Sequence, residues 1–147
     1  MGSRRPSSLK QRETAARFVR NSQSKSQKSS FSLRRAFGCA YDGLLYAAKT
    51  QRNMKIHFVV MVLVICLGLC LQIDSASWFA IVLSCATVIG AECINTAIES
   101  VVDLVSPDYH ELAKRAKDCA AAAVLVCAIG AVVVGLMVFI PACMRFM

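Results

Sequence analysis

The sequence predicts an all-α integral membrane protein, with three transmembrane helices preceded by an amphipathic helix lying in the membrane interface. Three observations carry this fold class. The chain has 147 residues, of which 56% are hydrophobic, and a mean hydropathy of +0.54, too apolar for an ordinary soluble domain and too short for a large transporter. Its apolar runs at 54–73, 76–97 and 119–140 are each close to the roughly 20 residues that cross about 30 Å of hydrocarbon as a helix. None of these runs alternates with a period of two, so the closed barrel, the other structure able to satisfy its backbone in lipid, is excluded.

Residues 1–30 form a basic tail rich in Ser, Arg, Lys and Gln, expected to be disordered and solvated. The tail lacks the apolar segment of a signal peptide, and its Arg- and Ser-rich, acid-poor composition also resembles an organellar transit peptide. The membrane domain is expected over 31–147. Its first element, over 31–51, places Phe37, Ala40, Tyr41, Leu44, Leu45 and Ala48 on one helical face, with Arg35, Asp42 and Lys49 opposite. With basic flanks and a span directly behind it, this helix belongs in the interface plane.

Helices containing the spans are expected over 54–73, 76–105 and 110–143. Ser75, beside Asp74, is the expected cap of the second, and Trp78 sits where an interfacial aromatic anchor belongs. Pro107 interrupts the second helix. In the third, the Ala run at 120–123 and Gly130 offer a small-residue surface for close helix packing.

Charge sets the orientation. Residues 4–55 hold 13 of the 17 Lys and Arg residues, and Lys114, Arg115 and Lys117 follow the second span, whereas 72–77 has none. The positive-inside rule makes the N-terminus and the 103–118 connection cytoplasmic. The net charge of +8 is then a topology signal and an attraction for anionic headgroups; without a recognition module it is no argument for nucleic-acid binding. The eight cysteines follow no disulfide or zinc spacing and read as reduced, small apolar residues.

The functional signal lies at the end of the second apolar run. At about 100° per residue, Asn95 lies about 60° from Glu92, while Glu99 and Asp103 fall within about 20° of it on either side, so the four form one polar stripe. A charged side chain in a membrane helix costs roughly 2.5–3.5 kcal/mol on insertion scales, which makes such acids functional candidates. Glu92 and Glu99 are roughly 10.5 Å apart along the helix, too far to share one small cation, so separate roles follow, such as metal ligand and general base. Lys117, followed by Asp118, is near enough to neutralise a phosphate. This inventory suits phosphoryl transfer, where catalysis is mostly positioning and charge neutralisation, although no Walker A or kinase glycine loop is present.

Glu92-x-x-Asn95-Thr96-Ala97-Ile98-Glu99-x-x-x-Asp103, followed by Tyr109-His110-Glu111-Leu112-x-x-Arg115-Ala116-Lys117-Asp118, resembles the prokaryotic diacylglycerol kinase family over about residues 31–143. The resemblance implies a helical-bundle homotrimer of three-span protomers in the bacterial inner membrane, transferring the ATP γ-phosphate with Mg2+ to a membrane lipid alcohol. It implies Glu92 as catalytic base, Glu99 as metal ligand, Asn95 and Asp103 as supporting groups, and Asp108, Tyr109, His110, Lys117 and Asp118 as nucleotide-binding positions.

One departure stands out. Gln51 takes a position where the family usually carries a second metal-binding Glu, leaving one negative charge fewer unless Asp42 or a substrate phosphate supplies it. The expected acceptor is diacylglycerol, with undecaprenol as the alternative; the segment from Arg52 to His57 resembles the polyprenol branch. A small proton or ion translocator and an inactive structural homologue are the rivals from other classes. His57 itself reads as a headgroup-level anchor.

Overall fold

The computed structural model describes residues 32–145, so the basic tail at 1–30 and the expected helix start at residue 31 lie outside the described residues. The described residues are helical almost throughout. Helix α1 runs Leu33–Thr50, α2 Arg52–Cys70, α3 Ser75–Val105 and α4 Glu111–Met144. The last three are long and apolar enough to cross a membrane, and the protein is a multi-pass membrane protein. Large apolar side chains such as Leu63, Val82, Val126 and Met137 stand exposed along these helices, the surface that lipid or neighbouring copies would cover.

Lengths place the polar stripe. With 31 residues, α3 is roughly 46 Å long at 1.5 Å per residue, well beyond a hydrocarbon core of about 30 Å. Measured from Ser75, Glu92 lies roughly 26 Å along the helix, Glu99 roughly 36 Å and Asp103 roughly 42 Å. A hydrocarbon core of about 30 Å counted from Ser75 would end between Glu92 and Glu99. Helices α3 and α4 pack most extensively, and α2 touches α3 more sparsely.

The opposite end is an apolar hairpin. Ile73, Ile81 and Ala142 form a buried cluster there, with Val64, Trp78 and Phe139 packed against it. Helix α2 stops at Cys70, short of the apolar run that continues to Ile73, because Gln72 adopts a left-handed backbone with φ 46°. The amide of Ile73 then donates to Gly68 O at 3.3 Å and that of Gln72 to Leu69 O at 3.3 Å, the paired bonds of a Schellman motif. Gly68 is required by close approach: a Cβ there would lie 2.9 Å from the Trp78 ring and 3.1 Å from Ile73 Cδ1.

The cap of α3 is Asp74, not Ser75, which is the first helical residue. A carboxylate reaches more donors than a hydroxyl: Asp74 Oδ1 accepts from the Ala76 and Ser77 amides at 2.9 and 3.0 Å, and Oδ2 from the Ser77 hydroxyl at 3.0 Å. These bonds, the Ser77 amide first, hold the Asp74 carboxyl below its usual range. At the other end, Pro107 follows the C-cap Ser106, and His110 opens α4, its side chain accepting from the Leu112 amide at 3.2 Å.

Two outcomes follow for the hairpin. Gln72→Gly removes the left-handed penalty at greater chain entropy, and should raise stability by roughly 0.5–1 kcal/mol in detergent unfolding. For Asp74 the folded-state pKa is lowered, so its contribution is complete above the unfolded value of 3.8 and is lost as pH falls through the lower folded value. Asp74→Ala should accordingly lower the unfolding midpoint at neutral pH, and the gap from wild type should close only below pH 3.8.

Candidate active site

Burial grades along the stripe of α3. Glu92, Asn95 and Thr96 are buried, Glu99 is half-buried and Asp103 is exposed. Glu92 is 1% exposed, and among the described residues neither of its carboxylate oxygens nor Asn95 Oδ1 has a hydrogen-bond partner. An unpartnered buried polar group is costly and requires an explanation. Thr96 is internally satisfied, its hydroxyl donating to Glu92 O at 2.8 Å.

Glu92, Asn95 and Glu99 line one cavity of about 250 Å³ together with Gln51, Asn53 and His57. Helix α2 supplies the near wall because Gln51 sits at its N-cap and Asn53 and His57 follow at helical spacing, while the buried Met54 anchors the same end. Gln51 Nε2 donates to Glu99 Oε2 at 2.9 Å, and Asn95 Nδ2 to Glu99 Oε1 at 3.2 Å. Thus Gln51, Glu92, Asn95 and Glu99, separated by up to 48 residues in the chain, share one space. Asp42 is exposed on α1 and is not among the residues that line it.

Ile56, His57 and Ala128 also line a second cavity of about 470 Å³ between α2, α3 and α4, whose other walls are almost entirely apolar. His57 thus stands where a polar and an apolar space meet. The half-buried His57, read from the sequence as a headgroup-level anchor, also lines both spaces. Its spacing of four from Asn53 was the available signal, overshadowed by the apolar run around it.

Lys117 crosses from α4 to pair with Asp103, Nζ to Oδ1 at 2.5 Å, one turn beyond Glu99 on the stripe. The other loop-side positions stay apart from the cavity. Ser106 Oγ donates to Asp108 O at 3.0 Å, Tyr109 OH donates to Glu111 Oε2 at 2.9 Å, His110 caps α4, and Asp118 is exposed. The bond to Glu111 holds the Tyr109 proton and pushes its phenol above the usual range.

Phosphoryl transfer draws on a divalent cation. Among the described residues no group of three or more His, Cys, Asp or Glu side chains is arranged to hold a metal. Yet the cavity offers oxygen donors of the kind a hard cation takes: the Glu99 carboxylate and the amide oxygens of Gln51 and Asn95. Mg2+ usually takes one or two carboxylates and completes its shell with water and phosphates, so this set fits it.

Comparison with known proteins decides the family. The model of prokaryotic diacylglycerol kinase matches residues 38–139. The chain belongs to the prokaryotic diacylglycerol kinase family. It is 45% identical over 113 residues to a diacylglycerol kinase from Synechocystis sp., an alignment covering 76% of this chain and 65% of that protein, and so just under two thirds of the relative's length. It is 36% identical over 107 residues to an undecaprenol kinase from Bacillus subtilis, covering 73% of this chain and 87% of the relative. With the diacylglycerol kinase of Escherichia coli K12 the identity is 34% over 99 residues, covering 67% and 81%. The matched segment contains the whole cavity wall, from Gln51 to Ala128.

Proposed function

We propose that the protein is an ATP-dependent lipid kinase that moves the γ-phosphoryl group of ATP onto the hydroxyl of a membrane lipid alcohol, with diacylglycerol as acceptor and phosphatidic acid as product. The observation that carries this reading is the buried, unpartnered carboxylate of Glu92, facing a cavity that adjoins an apolar one. A lipid alcohol has the matching shape, a single hydroxyl on a hydrocarbon body. The 45% identity to a protein named diacylglycerol kinase supports this acceptor over undecaprenol, which the Bacillus subtilis relative's name keeps as the alternative.

In this reading Glu92 accepts the acceptor's hydroxyl proton as the oxygen bonds to the γ-phosphorus and the bond to the ADP oxygen breaks. Glu99, with the amide oxygens of Gln51 and Asn95, would hold Mg2+, which when bound neutralises phosphate charge. Lys117, paired with Asp103 one turn beyond Glu99, would exchange that partner for a phosphate oxygen. Asp108, Tyr109, His110 and Asp118 are assigned to the nucleotide's other end; their exposure on the 106–110 loop and the start of α4 supports an approach from water. The protein is further proposed to work as a homotrimer in the bacterial inner membrane, with the 1–30 tail and this loop cytoplasmic. The small-residue surface at 121–123, exposed on a single protomer, supports close packing between copies. A proton or ion relay is disfavoured by the wholly apolar cluster of Ile73, Ile81 and Ala142 at the far end of the bundle.

Glu92→Gln should lower kcat by roughly 100- to 10,000-fold with folding intact, since an amide keeps the shape and loses the base; retention of more than about a tenth of the wild-type rate would refute the base assignment. Glu99→Gln should raise the Mg2+ needed for half-maximal rate, whereas Lys117→Ala should chiefly raise the KM for ATP, and independent titration of MgATP and free Mg2+ separates the two. Offering diacylglycerol and undecaprenol side by side to purified protein with γ-labelled ATP tests the acceptor. Phosphatidic acid is the expected labelled product; label confined to the polyprenol would reassign it.

A further inference from the structure

Gln51 is the N-cap residue of α2, with extended backbone at φ −94° and ψ 123°, yet its side chain makes no capping bond. It reaches instead to Glu99 Oε2 at 2.9 Å, while Asn95 Nδ2 donates to Oε1 at 3.2 Å. Both oxygens of Glu99 are therefore engaged by amide N–H groups. An amide N–H is a donor with nothing to offer a cation. Turning either amide around would set a carbonyl oxygen against the carboxylate, a repulsion that a cation between them would remove. The cavity's other acid, Glu92, is roughly 10.5 Å further along the helix, and Asp103 is already paired with Lys117. One carboxylate is left for a cation, and each of its two oxygens accepts a bond from an amide N–H of the chain itself.

We propose that Gln51 makes Glu99 a single-carboxylate site that takes its divalent cation only together with the nucleotide phosphates, the Gln51 and Asn95 amides holding Glu99 in position until that complex arrives. The inference rests on the kinase reading above for the identity of the phosphates, and on the hydrogen bonds of Glu99 for the rest. A hard cation bound through one carboxylate draws its remaining oxygens and counter-charge from phosphates and water. With a cation at Glu99, the Gln51 and Asn95 amides would hold it through their oxygens rather than their N–H groups. An acid at position 51 would instead give the cation two carboxylates and let it bind ahead of the nucleotide.

The test reads metal binding directly, with Mn2+ as probe and the intact protein in lipid nanodiscs, by loss of the free-ion electron paramagnetic resonance signal. Wild type without nucleotide should leave Mn2+ free into the millimolar range, and should capture it when a non-hydrolysable ATP analogue is added, beyond what the analogue binds alone. Gln51→Glu should bind Mn2+ without nucleotide at least about tenfold more tightly than wild type. Nucleotide-independent Mn2+ binding by wild type that Glu99→Gln abolishes would overturn the proposal, as would failure of the analogue to bring Mn2+ to wild type. A folded Gln51→Glu protein with no gain would overturn it too; where that variant does not fold, the two wild-type arms decide. ATP-dependent labelling of lipid by the same preparation is measured separately: its absence would refute the kinase reading, while the nucleotide-free arms would still decide the role of Gln51.

Discussion

The burial of the Glu92 carboxylate without a hydrogen-bond partner is the constraint around which the rest of the bundle is arranged. A helix in hydrocarbon satisfies its own backbone, so the expense falls on the side chains, and an ionisable group without a partner is among the most expensive. Glu92 is accompanied by the packing of α3 against α4, which includes the Lys117–Asp103 pair on the stripe, and by the apolar cluster at the hairpin, which does not involve the stripe. The apolar cluster and the polar stripe thus lie towards opposite ends of the same helix.

That separation has a mechanical consequence. Helix α3 carries Glu92, Asn95, Glu99 and Asp103 on one rigid rod, so their mutual spacing is set by helical geometry. The variable wall is α2, which meets α3 sparsely and contributes Gln51, Asn53 and His57 from its first turns. Substrates that enter between α2 and the α3–α4 pair would meet a fixed row of acids on one side and an adjustable amide and imidazole on the other. Lys117, half-buried and held by an exposed aspartate, belongs to the same logic: an ion pair near water is worth only about 0.2–1 kcal/mol and yields readily to a more highly charged phosphate.

Much of this is legible in the sequence, for physical reasons. Long apolar runs announce spans because the bilayer's thickness fixes their length, and the stripe from Glu92 to Asp103 follows from a period of 3.6 residues. What escaped reading depends on contacts between distant residues or on backbone geometry without a diagnostic side chain. Helix α2 ends early at Gln72, a residue whose type does not advertise a left-handed turn as glycine would. Asp74 rather than Ser75 caps α3, a choice between adjacent capping residues that the sequence leaves even. His57 and Asn53 sit within an apolar segment, and only the packing of α2 shows that they face the acids. The bond from Gln51 to Glu99 spans 48 residues, and no local pattern encodes it.

The central claim, that the polar stripe of α3 is where phosphoryl transfer takes place, is tested most directly by determining the structure of the protein in lipid nanodiscs with Mg2+ and a non-hydrolysable ATP analogue. The account expects the γ-phosphate in the cavity lined by Glu92 and Glu99, in contact with Lys117, which has let go of Asp103. A nucleotide bound elsewhere on the bundle, with that cavity empty and the Lys117–Asp103 pair unbroken, would contradict it.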